Sequence, residues 1–286
     1  MVDSVGTIKT NFQIRSNYDV YDFQKLMQLL CGPNGCPWDR EQTHESIKRN
    51  LLEEAYEAAE AIDSGDTDAL VEELGDVLMQ VIFHADMASR AGKFDLDKIA
   101  DTACKKLIRR HPHVFGEVRA KDGSESLAFW DDIKREEKLH DTTSDAMKSV
   151  ARNLPELWRA EKIQKKAAKV GFDWPTYEGA LESLQDELEE LKKAIQSASD
   201  ADTMQKSKTA NAVEAIREEL GDLLFSAVNL ARFFDIDPEQ ALSNTNAKFI
   251  SRFGKLENAA KAQGKNLSDM TPDEMEFIYQ QGKLEE

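Results

Sequence analysis

Long apolar runs, paired cysteines and surplus basic residues are what this chain of 286 residues lacks. No run of about 18 apolar residues occurs, so no membrane-spanning helix is expected. Residues 1–17 are polar and hold no apolar stretch of a secretory signal, which points to the cytoplasm. The three cysteines, Cys31, Cys36 and Cys104, are odd in number and sparse. They read as reduced thiols rather than a disulfide framework. Cys31 and Cys36 with His111 and His113 do not show the usual ligand spacing of a zinc site. Lys and Arg total 37 against 54 Asp and Glu, a net charge of −17. A nucleic-acid polymer needs a basic stripe to replace its counterions, so DNA and RNA strands are not expected partners. A phosphate-bearing small molecule remains compatible, because a divalent metal inverts the local field of an acidic site. Period-two alternation is also scarce, so no strands are expected.

What is present is amphipathic helix. Hydrophobic residues make up 41% and charged residues 32%, enough of each for a soluble core-forming chain. Three-and-four spacing predicts helices over Tyr18–Leu30, Thr43–Ile62, Thr67–Ser89 and Leu96–Arg110, the last stopped by Pro112. Leu70, Leu74, Val77, Leu78, Val81 and Ile82 define the buried side of the third. Residues 119–150 are charged and irregular and read as a connection holding one exposed helix. Further helices are expected over Pro155–Val170, Tyr177–Ala198, Val213–Phe234, Pro238–Ala262 and Pro272–Lys283. The polar stretch Ser197–Asn211 is either a loop or an extension of its flanking helices.

Two of these helices in each half carry paired acids. Leu52-Glu53-Glu54-Ala55-Tyr56-Glu57 and Glu72-Glu73-Leu74-Gly75-Asp76 have counterparts in Gln185-Asp186-Glu187-Leu188-Glu189-Glu190 and Glu218-Glu219-Leu220-Gly221-Asp222. The fold expected is all-α, with two tandem related helical-bundle domains, each holding a carboxylate-lined helix pair and completed by dimerisation. The boundaries are a polar extension 1–17, a first domain 18–118, the connection 119–150 and a second domain 151–286. Residues three or four apart share a helix face, and like charges there repel. If two such helices pack through their apolar stripes, the carboxylates at the edge converge and must take up a proton or a cation. All-oxygen ligation selects Mg²⁺ or Mn²⁺. A di-iron bundle needs Glu-x-x-His, which neither copy supplies. His84, eight residues past Asp76, reads as a core or groove histidine.

These acidic motifs resemble the signature of the all-α nucleoside triphosphate pyrophosphohydrolases, in the two-domain MazG form. Gly35-Cys36-Pro37-Trp38-Asp39, Arg109-Arg110-His111-Pro112-His113-Val114-Phe115, Lys162-Ile163-Gln164-Lys165, Gly171-Phe172-Asp173-Trp174 and Ala247-Lys248-Phe249 carry the rest of the likeness. The resemblance implies Mg²⁺-dependent hydrolysis of NTPs and dNTPs to monophosphate and pyrophosphate, in nucleotide-pool house-cleaning with broad base range. It implies metal binding and catalysis by Glu187, Glu190, Glu219 and Asp222. Which of these, or Asp186, contacts the attacking water stays open. It implies substrate contacts from Asn246, Lys248, Arg252, Tyr279 and Lys283. The first copy keeps Glu53, Glu54, Glu57, Glu73 and Asp76 as a second candidate site, with Lys106 and Arg110 as counterparts of Lys248 and Arg252. Cys104 stands where Asn246 stands, and the second copy is therefore expected to do the chemistry. The first copy is a second site, a structural repeat or a dimerisation unit. A dUTPase-like or modified-nucleotide enzyme, and a helical module that binds metal or nucleotide without turnover, are the competing readings. A homodimer is the expected assembly.

Overall fold

The computed structural model describes residues 12–137, 142–204 and 210–284. Among these the regular structure is helical, and no strand occurs. Two compact units divide the chain, Met1–Glu137 and Lys138–Glu286. The division falls inside the segment expected to connect the two copies.

The first unit holds α1 (Val20–Leu30), α2 (Pro37–Glu41), α3 (Lys48–Ser64), α4 (Thr67–Arg90), α5 (Leu96–Arg110), α6 (Pro112–Phe115) and α7 (Gly123–Glu137). Aspartates start three of them by satisfying orphan N–H groups. Asp19 and Asp22 form a reciprocal capping box on α1. Asp66 caps α4 and Asp95 caps α5. Gly65 ends α3 with φ +70°, a left-handed conformation that glycine adopts without strain. The chain thereby folds back, and α4 packs along α3.

The expected start of α3 near Thr43 is five residues too early, since the helix begins at Lys48. Thr43 and Ser46 explain the difference. The Ser46 N–H donates to Thr43 Oγ1 at 3.1 Å and the Thr43 N–H to Ser46 Oγ at 2.9 Å, a local turn that competes with helix. Ile47 ends this turn and is only 2% exposed. It joins Met27, Cys31, Ile82, Phe83 and Met87 in one apolar cluster. Burial pushes the Cys31 thiol up to about 12, so it stays protonated and acts as a small apolar group. The chain also continues past Pro112, which occupies the first turn of α6, where its missing N–H costs nothing.

The second unit holds α8 (Thr143–Lys148), α9 (Glu156–Ala168), α10 (Tyr177–Met204), α11 (Ala210–Phe233), α12 (Pro238–Ala262) and α13 (Pro272–Leu284). The region 119–150 therefore contributes two helices, where one was expected. The polar stretch after Ala198 continues α10 to Met204, and residues 205–209 of it lie outside the described residues. Helices α10 and α11 pair as α3 and α4 do, and α9 lies on α11. Gln164 on α9 donates Nε2 to the Phe225 carbonyl at 2.8 Å. Asp237 caps α12 and accepts from Trp158 Nε1 at 2.8 Å, which ties α9 to the start of α12.

One packing expectation is corrected. Leu74 and Leu78, expected on the buried side of α4, are 51% and 36% exposed. Only Ile82 of that stripe reaches full burial, while Val77 and Val81 are half-buried. The apolar stripe is wider than the neighbours of one unit cover. Leu220, Leu224 and Phe225 on α11 repeat the situation. Each acidic helix pair thus presents an apolar strip beside its carboxylates. Among the described residues no helix is long and apolar enough to cross a membrane.

Candidate functional site

Antiparallel packing of two helices sets the acids of each copy against one another. In the second unit, carboxylate oxygens of Glu187 and Glu190 on α10 and Glu219 on α11 lie within 4.8 Å of each other. Asp222 follows Glu219 by one turn and is exposed. Burial pushes the Glu187 carboxyl up, and Asp222, Glu190, Glu219 and Asp186 push it the same way. The first unit repeats the cluster with Glu54 and Glu57 on α3 and Glu73 on α4, again within 4.8 Å. Burial raises the Glu54 and Glu73 carboxyls, with Asp76 the next cause for Glu54 and Glu57 for Glu73. Glu53 is exposed and stands outside this trio. Oxygen-only donors gathered from two helices fit a hard divalent cation.

Sequence reasoning missed what lies beneath the acids. Gln80, one turn past Asp76, is 4% exposed. Its amide bonds to Glu54 and partly offsets the rise in that carboxyl. Its Oε1 is buried without a hydrogen-bond partner. The matching residue in the second unit is Ser226, whose Oγ lies 3.5 Å from Ser183 Oγ. One turn beyond Gln80, His84 Nδ1 lies 2.7 Å from His44 Nδ1, with the rings stacked 5.0 Å apart at 10°. Burial, then His44, pulls the His84 pKa down. His84 is thus a half-buried histidine with a partner. A polar residue at every fourth position in an apolar stripe was the available signal.

The cationic residues stand on other helices. Asn246 and Lys248 are exposed on α12, and Arg252 is half-buried. Helix α12 packs on α13 and α9, whereas the acids stand on α10 and α11. The Tyr279 ring on α13 meets Phe249 of α12 at 5.8 Å and 47°, and Lys283 is exposed. In the first unit Lys106 is exposed, but Arg110 is bound. Its guanidinium holds both carboxylate oxygens of Glu137 on α7 and lies 5.0 Å over the Trp130 ring.

A second missed feature follows. Trp130-Asp131-Asp132-Ile133-Lys134-Arg135-Glu136-Glu137 matches Tyr279-Gln280-Gln281-Gly282-Lys283-Leu284-Glu285-Glu286 in its aromatic, lysine and terminal glutamates. Helix α7 stands to α5 as α13 stands to α12, so the internal repeat runs through it. Trp130 and Lys134 are the first-copy positions matching Tyr279 and Lys283.

Comparison with known proteins agrees with the doubled pattern. A family model described as the MazG nucleotide pyrophosphohydrolase domain matches residues 42–115 and 175–256. The chain is 42% identical over 258 residues to the nucleoside triphosphate pyrophosphohydrolase/pyrophosphatase MazG of Thermotoga maritima, spanning 90% of this chain and 93% of that one. It is 42% identical over 263 residues to the nucleoside triphosphate pyrophosphohydrolase of Escherichia coli, spanning 91% of this chain and 95% of that one. The uncharacterized protein YabN of Bacillus subtilis matches at 42% over 261 residues, which is 91% of this chain and 51% of YabN.

Proposed function

The chain belongs to the MazG nucleotide pyrophosphohydrolase family, and from that premise we infer that it hydrolyses nucleoside triphosphates to the monophosphate and pyrophosphate. Water adds across the α–β phosphoanhydride, and the pyrophosphate leaves. The observation that carries this reading is the pair of three-carboxylate clusters, each formed by facing helices.

Glu187, Glu190, Glu219 and Asp222 would hold Mg²⁺ or Mn²⁺, whose charge, when bound, offsets the charge that builds on the phosphate oxygens. A carboxylate of the set that is left over orients the attacking water. Lys248, Arg252 and Lys283 neutralise the triphosphate, Asn246 adds a polar contact, and Tyr279 receives the nucleoside end. The second copy is the working one in this reading. Cys104 in the place of Asn246 supports it. A second copy of the chain is the partner that covers the half-exposed strips of α4 and α11. The cytoplasm, where these substrates are, is the compartment.

The test is product identity. The chain is incubated with each NTP and dNTP in Mg²⁺, and pyrophosphate is resolved from orthophosphate. Monophosphate and pyrophosphate in equal amounts are expected across several bases. Nucleoside diphosphate with orthophosphate as the only products rejects the reading.

A further inference from the structure

In a chain of net charge −17, helix α5 ends on Arg109 and Arg110, with His111 and His113 following. Among the described residues one carboxylate, Glu137, answers both guanidiniums. Arg110 Nε lies 3.0 Å from Glu137 Oε2 and 3.2 Å from Oε1, and its Nη2 also reaches Oε2. Arg109 Nη2 lies 2.5 Å from Glu137 Oε1. The side chains of Arg110 and Glu137 are 11% and 12% exposed. The Trp130 ring underlies the Arg110 guanidinium, His111 meets that ring edge-on at 5.1 Å, and Phe129 stacks on His113 at 6.4 Å. A forked guanidinium binds the paired oxygens of a carboxylate and of a phosphate with the same geometry. Two guanidiniums on one carboxylate leave a full positive charge that a phosphate group could answer better.

We propose that Glu137 is an intramolecular stand-in for phosphate, and that α7 is an arm whose closed position keeps nucleoside triphosphate off the first copy. This rests on the reading of α5 as the first copy's phosphate-binding helix, the counterpart of α12. It explains how a copy with a complete carboxylate trio is held out of substrate binding. The acids are in place, and so is an aromatic at the position of Tyr279, but the cationic grip is closed on a residue of its own chain. Glu286, which matches Glu137 in the repeat, lies outside the described residues, and the proposal concerns the first copy alone. The competing role for Glu137 is that of a strut fastening α7 to α5.

Calorimetry with Mg²⁺ and the α,β-methylene analogue of ATP separates the two on the full chain. The unaltered chain is expected to bind about one equivalent, and Glu137→Gln about two, because the freed guanidiniums add a site. Adding Arg110→Gln to Glu137→Gln should return the value to about one. A Glu137→Gln chain that stays at about one equivalent while its unfolding midpoint drops overturns the proposal and leaves a strut. Should that variant fold poorly, the unaltered chain gives a second measurement. Millimolar pyrophosphate with Mg²⁺ should speed amide exchange in α7 several-fold and leave α8 unchanged; no change in α7 overturns the proposal. The working-site reading fails separately, if the one equivalent of the unaltered chain survives Lys248→Ala with Arg252→Ala.

Discussion

Glu187 and Glu54 hold equivalent places in the two copies, and their carboxyls are raised by the same two causes, partial burial and carboxylate neighbours. Their environments then diverge. Glu54 has the buried Gln80 amide at its back, and the second unit has Ser226 and Ser183 in that layer. The copies differ again further out, where Cys104 stands in the place of Asn246. Glu219→Gln is therefore expected to lower turnover on the order of 100-fold, since it removes a metal-binding charge. Glu73→Gln should leave most of the activity, as steady-state kinetics on the two variants at saturating Mg²⁺ will read. The opposite ranking transfers the working site to the first copy. The acids were legible in sequence because three-residue spacing fixes which carboxylates share a face. Gln80, the His44 pairing and Glu137 were not, because each acquires its role from a residue of another element, 40 positions away for His84 and 27 for Arg110.

At the scale of the helix, periodicity predicted α1, α4, α5, α9 and α12 within a few residues of their observed ends. It failed where a local side-chain bond outbids the pattern, as at Thr43 and Ser46, and where charge hides an apolar face. Helix α7 is such a case. Its charged sequence reads as a solvated connector, yet Trp130 packs on the end of α5 and Phe129 on His113 of α6. Burial was misjudged for Leu74 and Leu78, since amphipathic spacing marks an apolar stripe without saying how much of it a single chain covers. Where the stripe is covered, the packing is expected to be costly to disturb. Ile82 is 1% exposed among Met27, Cys31, Ile47, Phe83 and Met87. Ile82→Ala should destabilise the first unit by about 2–5 kcal/mol through lost transfer energy and a residual cavity. Denaturant titration followed by far-UV circular dichroism will show a lower midpoint for that unit.

For the whole molecule, the all-α class and the tandem arrangement were both readable from one doubled motif. The single chain leaves part of its apolar surface open. Leu52, Tyr56, Leu74 and Leu78 in the first unit, with Leu188, Leu220, Leu224 and Phe225 in the second, each stand at least 36% exposed. Apolar strips of this kind mark surfaces that associate. Light scattering should report about twice the chain mass of 32.3 kDa, and a monomeric mass would contradict the homodimer.

The two strips also set a problem of closure. If each joins only its own kind, two chains satisfy each other about a twofold axis and growth stops. If the strip on α4 accepts the strip on α11, the contact is heterologous, and the product is a closed set where the rotation closes and a filament where it does not. The aromatic ring on the first strip is Tyr56, on α3, and on the second it is Phe225, on α11. With its bulk on opposite members of the helix pair, one strip is a poor mould for the other.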